Sequence, residues 1–213
     1  MTDLTLYDLH GSPNSVKVRL ALGYLGLPFE KVAVQPMDRA AVIEASGQPL
    51  CPAITHGATR LYDSSAILRY LDANLAGDKR LYSADREELR HIEQWELKTR
   101  GGGFGEPVGV AFQQAFAEVK DPAEAERGQQ LFAERCETVE EALGDNETLC
   151  CGRLTAADLC VVPLLAYGQL PDGFIEKSGP AVDLCRLISD MLTIPEDCPK
   201  TRAYVRRVMA FDC

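Results

Sequence analysis

Leu50-Cys51-Pro52-Ala53-Ile54, with Leu61-Tyr62-Asp63-Ser64-Ser65-Ala66-Ile67 shortly after it, is the stretch on which the fold turns. A proline at the mouth of a short apolar strand has no N–H to give a sheet ladder, so it marks an edge, a turn or a cis peptide. The second short strand runs into a carboxylate–hydroxyl pair that opens a helix. Asp63, Ser64 and Ser65 bring acidic and hydroxyl groups, and the free N–H groups of a helix start, to one spot. Asp63-Ser64 alone reads first as a helix cap. Beside Cys51-Pro52 it reads as half of a site for a small anionic peptide.

Working outward, the segment before this stretch supplies the rest of one small domain. Leu4 to Leu9 alternates as a strand does, and His10-Gly11-Ser12-Pro13-Asn14-Ser15 is a turn by composition. Val18, Leu20, Ala21, Leu22 and Leu25 repeat at helical spacing until Gly26 closes the helix, and Phe29 to Val34 is a second strand. Strand, helix and strand in about thirty residues make a βαβ unit with parallel strands. Asp38 is placed to cap a short helix through about Ala45, closed by Gly47. Residues 53–55 and 60–62, joined by His56-Gly57-Ala58-Thr59, read as an antiparallel hairpin, and Ala66 to Leu75 as a helix.

After a polar linker at 77–83 the pattern turns wholly helical. Helices are expected from Ser83-Ala84-Asp85, over 107–119, over 122–143, over 155–167, from Gly179-Pro180 to about Leu192, and over 199–209. Gly101-Gly102-Gly103-Phe104-Gly105 interrupts the first of them, since each Gly costs a helix about 1 kcal/mol. The expected organisation is therefore an α/β domain over 1–76 and an all-α domain over 84–213.

The chain has 213 residues and a formal net charge of −10, and its longest basic run is Arg206-Arg207. That balance argues against nucleic acid and anionic membrane as partners. No run approaches the roughly 18 apolar residues of a membrane helix, and Met1-Thr2-Asp3 lacks the basic start of a secretory leader, so a cytoplasmic location is expected. Eight cysteines are scattered without a C-x-x-C pair, which reads as free thiols and no metal site.

These motifs, in this order, make the chain resemble a cytosolic glutathione S-transferase along essentially its whole length. Cys51-Pro52-Ala53-Ile54 is similar to that family's Val-Pro-x-Leu segment, and Asp63-Ser64-Ser65-Ala66-Ile67 to its Glu-Ser-x-Ala-Ile. Thr155-Ala156-Ala157-Asp158 resembles its capping motif, and Cys198-Pro199 to Tyr204 its Tyr-Pro-x-Leu-x-Ala-Trp tail. Read from chemistry alone, Thr155 and Asp158 form a capping box worth about 1 kcal/mol. The resemblance implies a thioredoxin-like N-terminal domain plus an all-α C-terminal domain. It further implies glutathione as co-substrate, a detoxification role, a homodimer, and conjugation of the glutathione thiolate to a small hydrophobic electrophile. Relatives that work as isomerases, dehalogenases or ether-cleaving enzymes, or as non-catalytic binding modules, are the alternatives.

The resemblance also assigns roles. The backbone of Cys51, with Pro52, Asp63 and Ser64, would hold the tripeptide. Gln48 would replace the long polar side chain that the family carries where Leu50 stands here. A thiol with a reference pKa of about 8.5 needs a hydroxyl and a helix N-terminus to become a thiolate. Ser12 falls on the catalytic serine of the delta, theta and zeta classes. Ser12-Pro13-Asn14 also resembles the Thr-Pro-Asn of nu-class and fungal nitrogen-regulator-like members, so Asn14 and Ser15 stay as alternatives. Each of the three is also a plausible plain cap. For the acceptor site, Trp95, Arg100, Phe104, Pro107 and Phe112 are the candidates, Phe104 and Phe112 foremost; aromatics at helical spacing are as readily core.

Overall fold

The structure, a computed structural model, describes residues 3–100 and 103–213. Strand β1 (Leu4–Asp8), helix α1 (Pro13–Leu25) and strand β2 (Glu30–Ala33) form the βαβ unit, with β1 and β2 parallel. Gly26 ends α1 at φ 68°, a left-handed turn that glycine adopts without a Cβ clash. Helix α2 (Ala40–Ser46) leads to the hairpin of β3 (Ala53–His56) and β4 (Thr59–Leu61), and α3 (Ser64–Asn74) follows. The sheet order is β2-β1-β3-β4, with β3 antiparallel to β1 in the register Leu6↔Ile54 and Tyr7↔Ala53. The Cys51–Pro52 peptide is cis.

The helical part comprises α4 (Arg86–Lys98), α5 (Glu106–Phe116), α6 (Pro122–Leu143), α7 (Ala156–Leu165), α8 (Val182–Met191) and α9 (Pro199–Met209). Several ends differ from the sequence reading. Arg39, not Asp38, occupies the α2 cap position, although the Asp38 carboxylate still accepts the Ala40 N–H at 3.1 Å. The helix expected from Gly179-Pro180 starts at Val182, after a 3₁₀ stretch over Glu176–Ala181 in which Gly179 takes φ 57°. Of the glycine run, Gly101 and Gly102 lie outside the described residues. Among the described residues no helix is long and apolar enough to cross a membrane, and all eight cysteines are free thiols.

The packing of α1 decides where the site falls. It lies between α3 and α7, and every residue from Ser15 to Leu22 is buried, Lys17 and Arg19 included. A helix covered on both faces needs no amphipathic stripe, but each cation on it needs an answer. Arg19 has one: it is fully buried and bonds Asp8 of β1 and Asp212 of the C-terminal segment, both at 2.6 Å. On α7, the Asp158 carboxylate accepts from the N–H of Thr155 at 2.8 Å and of Leu149 at 3.0 Å. It also accepts from the hydroxyls of Thr155 at 3.1 Å and Tyr204 at 3.0 Å, tying α7 to α9.

Candidate functional site

Pro13 occupies the first position of α1 and so makes Ser12 the cap residue. The Ser12 backbone is fully engaged, its N–H on Leu9 O at 2.8 Å and its carbonyl taking the Val16 N–H at 2.9 Å. Its hydroxyl, though, caps no helical N–H. Ser12 lines a cavity of about 350 Å³ together with Val108, Phe112 and Phe116 of α5 and Leu184 and Ile188 of α8. The Phe112 and Phe116 rings are 4.8 Å apart. An apolar cleft with one hydroxyl at a helix N-terminus suits a reaction in which negative charge builds beside that hydroxyl.

The turn that carries Ser12 is held from several sides. Tyr167 donates its hydroxyl to Gly11 O, and the His10 ring bonds Phe174 O at 3.1 Å and lies 4.6 Å from the Phe174 ring. Arg19 donates to His10 O at 3.1 Å. Gly11 is required by proximity, since a Cβ there would sit 2.5 Å from the Cys185 Sγ.

The second half of the site is joined to the first through two side chains. Asp63 caps α3, its carboxylate taking the Ala66 N–H at 2.8 Å. Ser64, next in line, donates its hydroxyl to Asn14 Oδ1 at 3.3 Å and accepts from Lys17 Nζ at 3.2 Å, so α1 and the start of α3 share one polar cluster. On the other flank Arg39 lines the cavity beside Ser12 and places Nη1 3.5 Å from the Cys51 Sγ, with Nε on Pro36 O at 3.2 Å. The turn after β1 is thus linked to the start of α3 through Asn14 and Ser64, and Arg39 links the cavity wall to Cys51 ahead of the cis proline.

The thiols there are not ready nucleophiles. Burial pushes the Cys51 thiol up, with Arg39 acting against it, and burial pushes the Cys185 thiol up against the Ser178 hydroxyl. At both, burial favours the thiol over the thiolate.

Three of the candidate residues stand elsewhere than expected. Ser15 is fully buried and its hydroxyl accepts the Leu9 N–H at 3.3 Å; it fastens the turn from below and has no path to the cleft. Phe104 is core, 4% exposed and edge-to-face with Trp95 at 5.9 Å, because the chain turns inward between α4 and α5. Gln48 spends its amide on its own loop, donating to Ser46 Oγ at 2.7 Å and Leu50 O at 3.1 Å and accepting from Leu50 N–H at 2.7 Å. Asn14 is exposed at the mouth of the cluster, and Phe112 lines the cavity. Sequence reasoning passed over Lys17, Arg39, Tyr167 and the α8 wall. A cation inside an apolar helix run was the available signal for Lys17; nothing local marks the others.

Comparison with known proteins fits this geometry. Residues 6–79 match the family described as Glutathione S-transferase, N-terminal domain. The fold is that of a glutathione transferase. A glutathione transferase family member from Pseudomonas fluorescens pf-5, with two glutathione bound, is 24% identical with a TM-score of 0.71, over 98% of this chain and 92% of that one. The theta class glutathione S-transferase from the citrus canker pathogen Xanthomonas axonopodis pv. citri, with glutathione bound, is 20% identical with a TM-score of 0.74, over 97% and 92%. A glutathione transferase from Pseudomonas putida, with one glutathione disulfide bound per subunit, is 25% identical with a TM-score of 0.65, over 97% and 85%. No curated protein matches the sequence.

Proposed function

We propose that this protein is a serine-type glutathione transferase that joins the glutathione thiolate to a small hydrophobic electrophile. The observation that carries the reading is Ser12, which lines an apolar cavity and whose hydroxyl is uncommitted to its own helix. Solved relatives with glutathione bound support the choice of tripeptide.

In this reading the Cys51 backbone, ahead of Pro52, pairs with the cysteinyl part of glutathione. Asp63 attracts the γ-glutamyl ammonium and Ser64 donates to its carboxylate. Ser12 donates to the sulfur as its proton leaves, and the positive end of α1 adds to the stabilisation of the thiolate. The thiolate then attacks an electrophilic carbon held between α5 and α8. A C–S bond forms; from an aryl halide the halide departs with the bonding electron pair, and in an isothiocyanate the C=N π electrons move to nitrogen, which takes a proton from water. Asn14, bonded to Ser64, keeps the two halves in register. The cytoplasmic location, the detoxification role and the homodimer belong to the same proposal and rest on resemblance to the family.

Glutathione should raise the melting temperature, because a ligand that binds only the native state stabilises it by mass action. Conjugation of an aryl halide or an isothiocyanate tests the chemistry. Stabilisation without conjugation, across a panel that includes isomerase, dehalogenase and ether-cleavage substrates, would identify a binding module. No stabilisation at millimolar glutathione would overturn the reading.

A further inference from the structure

Cys150 and Cys151 are neighbours in the chain, and the fold leaves both half-buried, within reach of solvent. Cys136, Cys160, Cys185 and Cys198 are buried, and neither Cys51 nor Cys213 has a cysteine beside it. The pair sits in the segment between α6 and α7, which is fastened on both sides. The Leu149 N–H is held by Asp158 at 3.0 Å, and Arg153 Nη1 donates to Arg80 O at 2.6 Å. Between these anchors Cys151 and Gly152 take φ 62° and 61° in succession. Glycine adopts this left-handed backbone freely, whereas it costs a residue with a Cβ about 1–2 kcal/mol. Each thiol has only a weak partner: Cys150 Sγ lies 3.7 Å from Thr155 Oγ1, and Cys151 Sγ donates to Glu88 O at 3.9 Å. The two thiols are also near enough to act on each other's ionisation.

Reach, valence and charge decide what such a pair can hold. The Cys150–Cys151 peptide is trans. Cα atoms across a trans peptide are about 3.8 Å apart, short of the roughly 4.4–6.8 Å that disulfides usually span. A direct bond between these sulfurs would be strained and readily reduced, so the thiols stay free for a bridging atom. Among the described residues no group of three His, Cys, Asp or Glu side chains could hold a metal ion, so the bridging centre must be satisfied by two sulfurs. Soft centres prefer sulfur. Burial pushes the Cys150 thiol up to about 12 and raises that of Cys151, which opposes a thiolate but not a neutral adduct. We infer that Cys150 and Cys151 form a chelating site for a monosubstituted trivalent arsenical, whose third valence is filled by its own organic group. With an arsine oxide, two As–S bonds form as the arsenic–oxygen bond breaks, and the oxygen leaves with both thiol protons as one water. Arsenic stays trivalent and nothing is oxidised. The site is separate from the glutathione reading and does not rest on it.

The probe is phenylarsine oxide, one equivalent added to the reduced native protein in millimolar glutathione, with the intact product weighed by mass spectrometry. Wild type should gain one phenylarsenic group, keep it against glutathione, a monothiol, and lose it to the dithiol 2,3-dimercaptopropanol. Cys150→Ser and Cys151→Ser should each lose the adduct, because the one thiol left forms a single bond that glutathione exchanges. Cys151→Asn, which suits a left-handed turn, gives the same test in case the serine variants fold poorly. Cys213→Ser should bind as wild type does. Retention of the group by any variant that lacks one of the two thiols overturns the inference. So does native wild type that gains no group, or that gains one only when denaturant opens the buried Cys136 and Cys198.

Discussion

Replacing Ser12 by alanine should separate chemistry from folding with little ambiguity, because the structure shows what the side chain does not hold. Its backbone donates to Leu9 O and accepts from Val16 N–H, and alanine keeps both bonds. Loss of a serine cap normally costs about 1 kcal/mol, but this hydroxyl caps nothing, so Ser12→Ala should melt close to wild type. The whole effect should therefore fall on the bound thiol. One charge-assisted hydrogen bond, about 1.5–3 kcal/mol, corresponds to a roughly 10- to 100-fold loss in turnover. The same energy raises the apparent pKa of bound glutathione by about 1–2 units. The α1 N-terminus remains, so the thiolate is weakened and not abolished.

The assay is the ultraviolet absorbance of the thiolate against pH, in wild type and variant, beside steady-state conjugation and thermal melts. KM for glutathione should hold, since on the proposed reading the hydroxyl meets only the sulfur. A titration and a turnover identical to wild type would refute the role, and a large fall in melting temperature would show Ser12 to be structural. In either case Asn14, exposed beside the same cluster, becomes the residue to replace.

Asp63→Asn should keep the α3 cap, which needs only an oxygen for the Ala66 N–H, and raise KM for glutathione about 10-fold through loss of the charge; an unchanged KM removes Asp63 from the site. Phe112→Ala opens the cavity wall and breaks the pairing with Phe116, so KM for bulky aromatic electrophiles should rise while that for glutathione stays put. Equal shifts in both constants would place Phe112 outside the acceptor site. Burial works to raise the pKa of Glu140, but the N–H groups of Thr201 at 2.6 Å and Lys200 at 3.0 Å outweigh it and hold the carboxyl below its ordinary value. A depressed folded pKa gives stability that is present above the unfolded value of about 4.3 and lost as pH falls through the folded one. Glu140→Gln should thus be less stable than wild type at neutral pH, with the gap closing toward pH 3; denaturant titrations at both pH values check this, and a constant gap would contradict it.

The N-terminal fold was legible because its signals are local. A period-two strand, a glycine-closed helix, a proline at a strand mouth and an Asp-Ser helix start each come from a handful of adjacent residues. The Thr155/Asp158 box was legible for the same reason, though its reach was not: Asp158 also gathers the Leu149 N–H and the Tyr204 hydroxyl, 9 and 46 residues away. Where local signals compete, the reading slipped. Ser15 and Ser12 both look like caps, and only the packing of α1 shows that Ser15 is sealed under the turn. Phe104 and Phe112 carry the same helical spacing, yet one side chain turns into the core against Trp95 and the other onto the cavity. The far wall of that cavity comes from α8, about 170 residues from Ser12 in sequence, and no local pattern links the two.

Helix α1 explains why the site needs both parts of the chain. At its start Ser12, the cap residue, lines the cavity with α5 and α8, and Asn14 accepts from Ser64. One turn later Lys17 points at the same Ser64 from beneath, and two residues beyond that Arg19 is clamped by Asp8 and Asp212. The clamp involves a fully buried guanidinium, and breaking such a pair costs about 3–5 kcal/mol, so it resists rotation of the helix about its axis. A helix turns 100° per residue, so a modest rotation would swing Lys17 away from Ser64 and Ser12 away from the cavity together. Because α7 covers the other face of α1 and Tyr167 holds Gly11, the helical part fixes the geometry of residues that all lie in the first twenty. The positions of Ser12 and of the Lys17–Ser64 contact are thus set by the same helix, and that helix is held by β1, α7 and the C-terminal segment together.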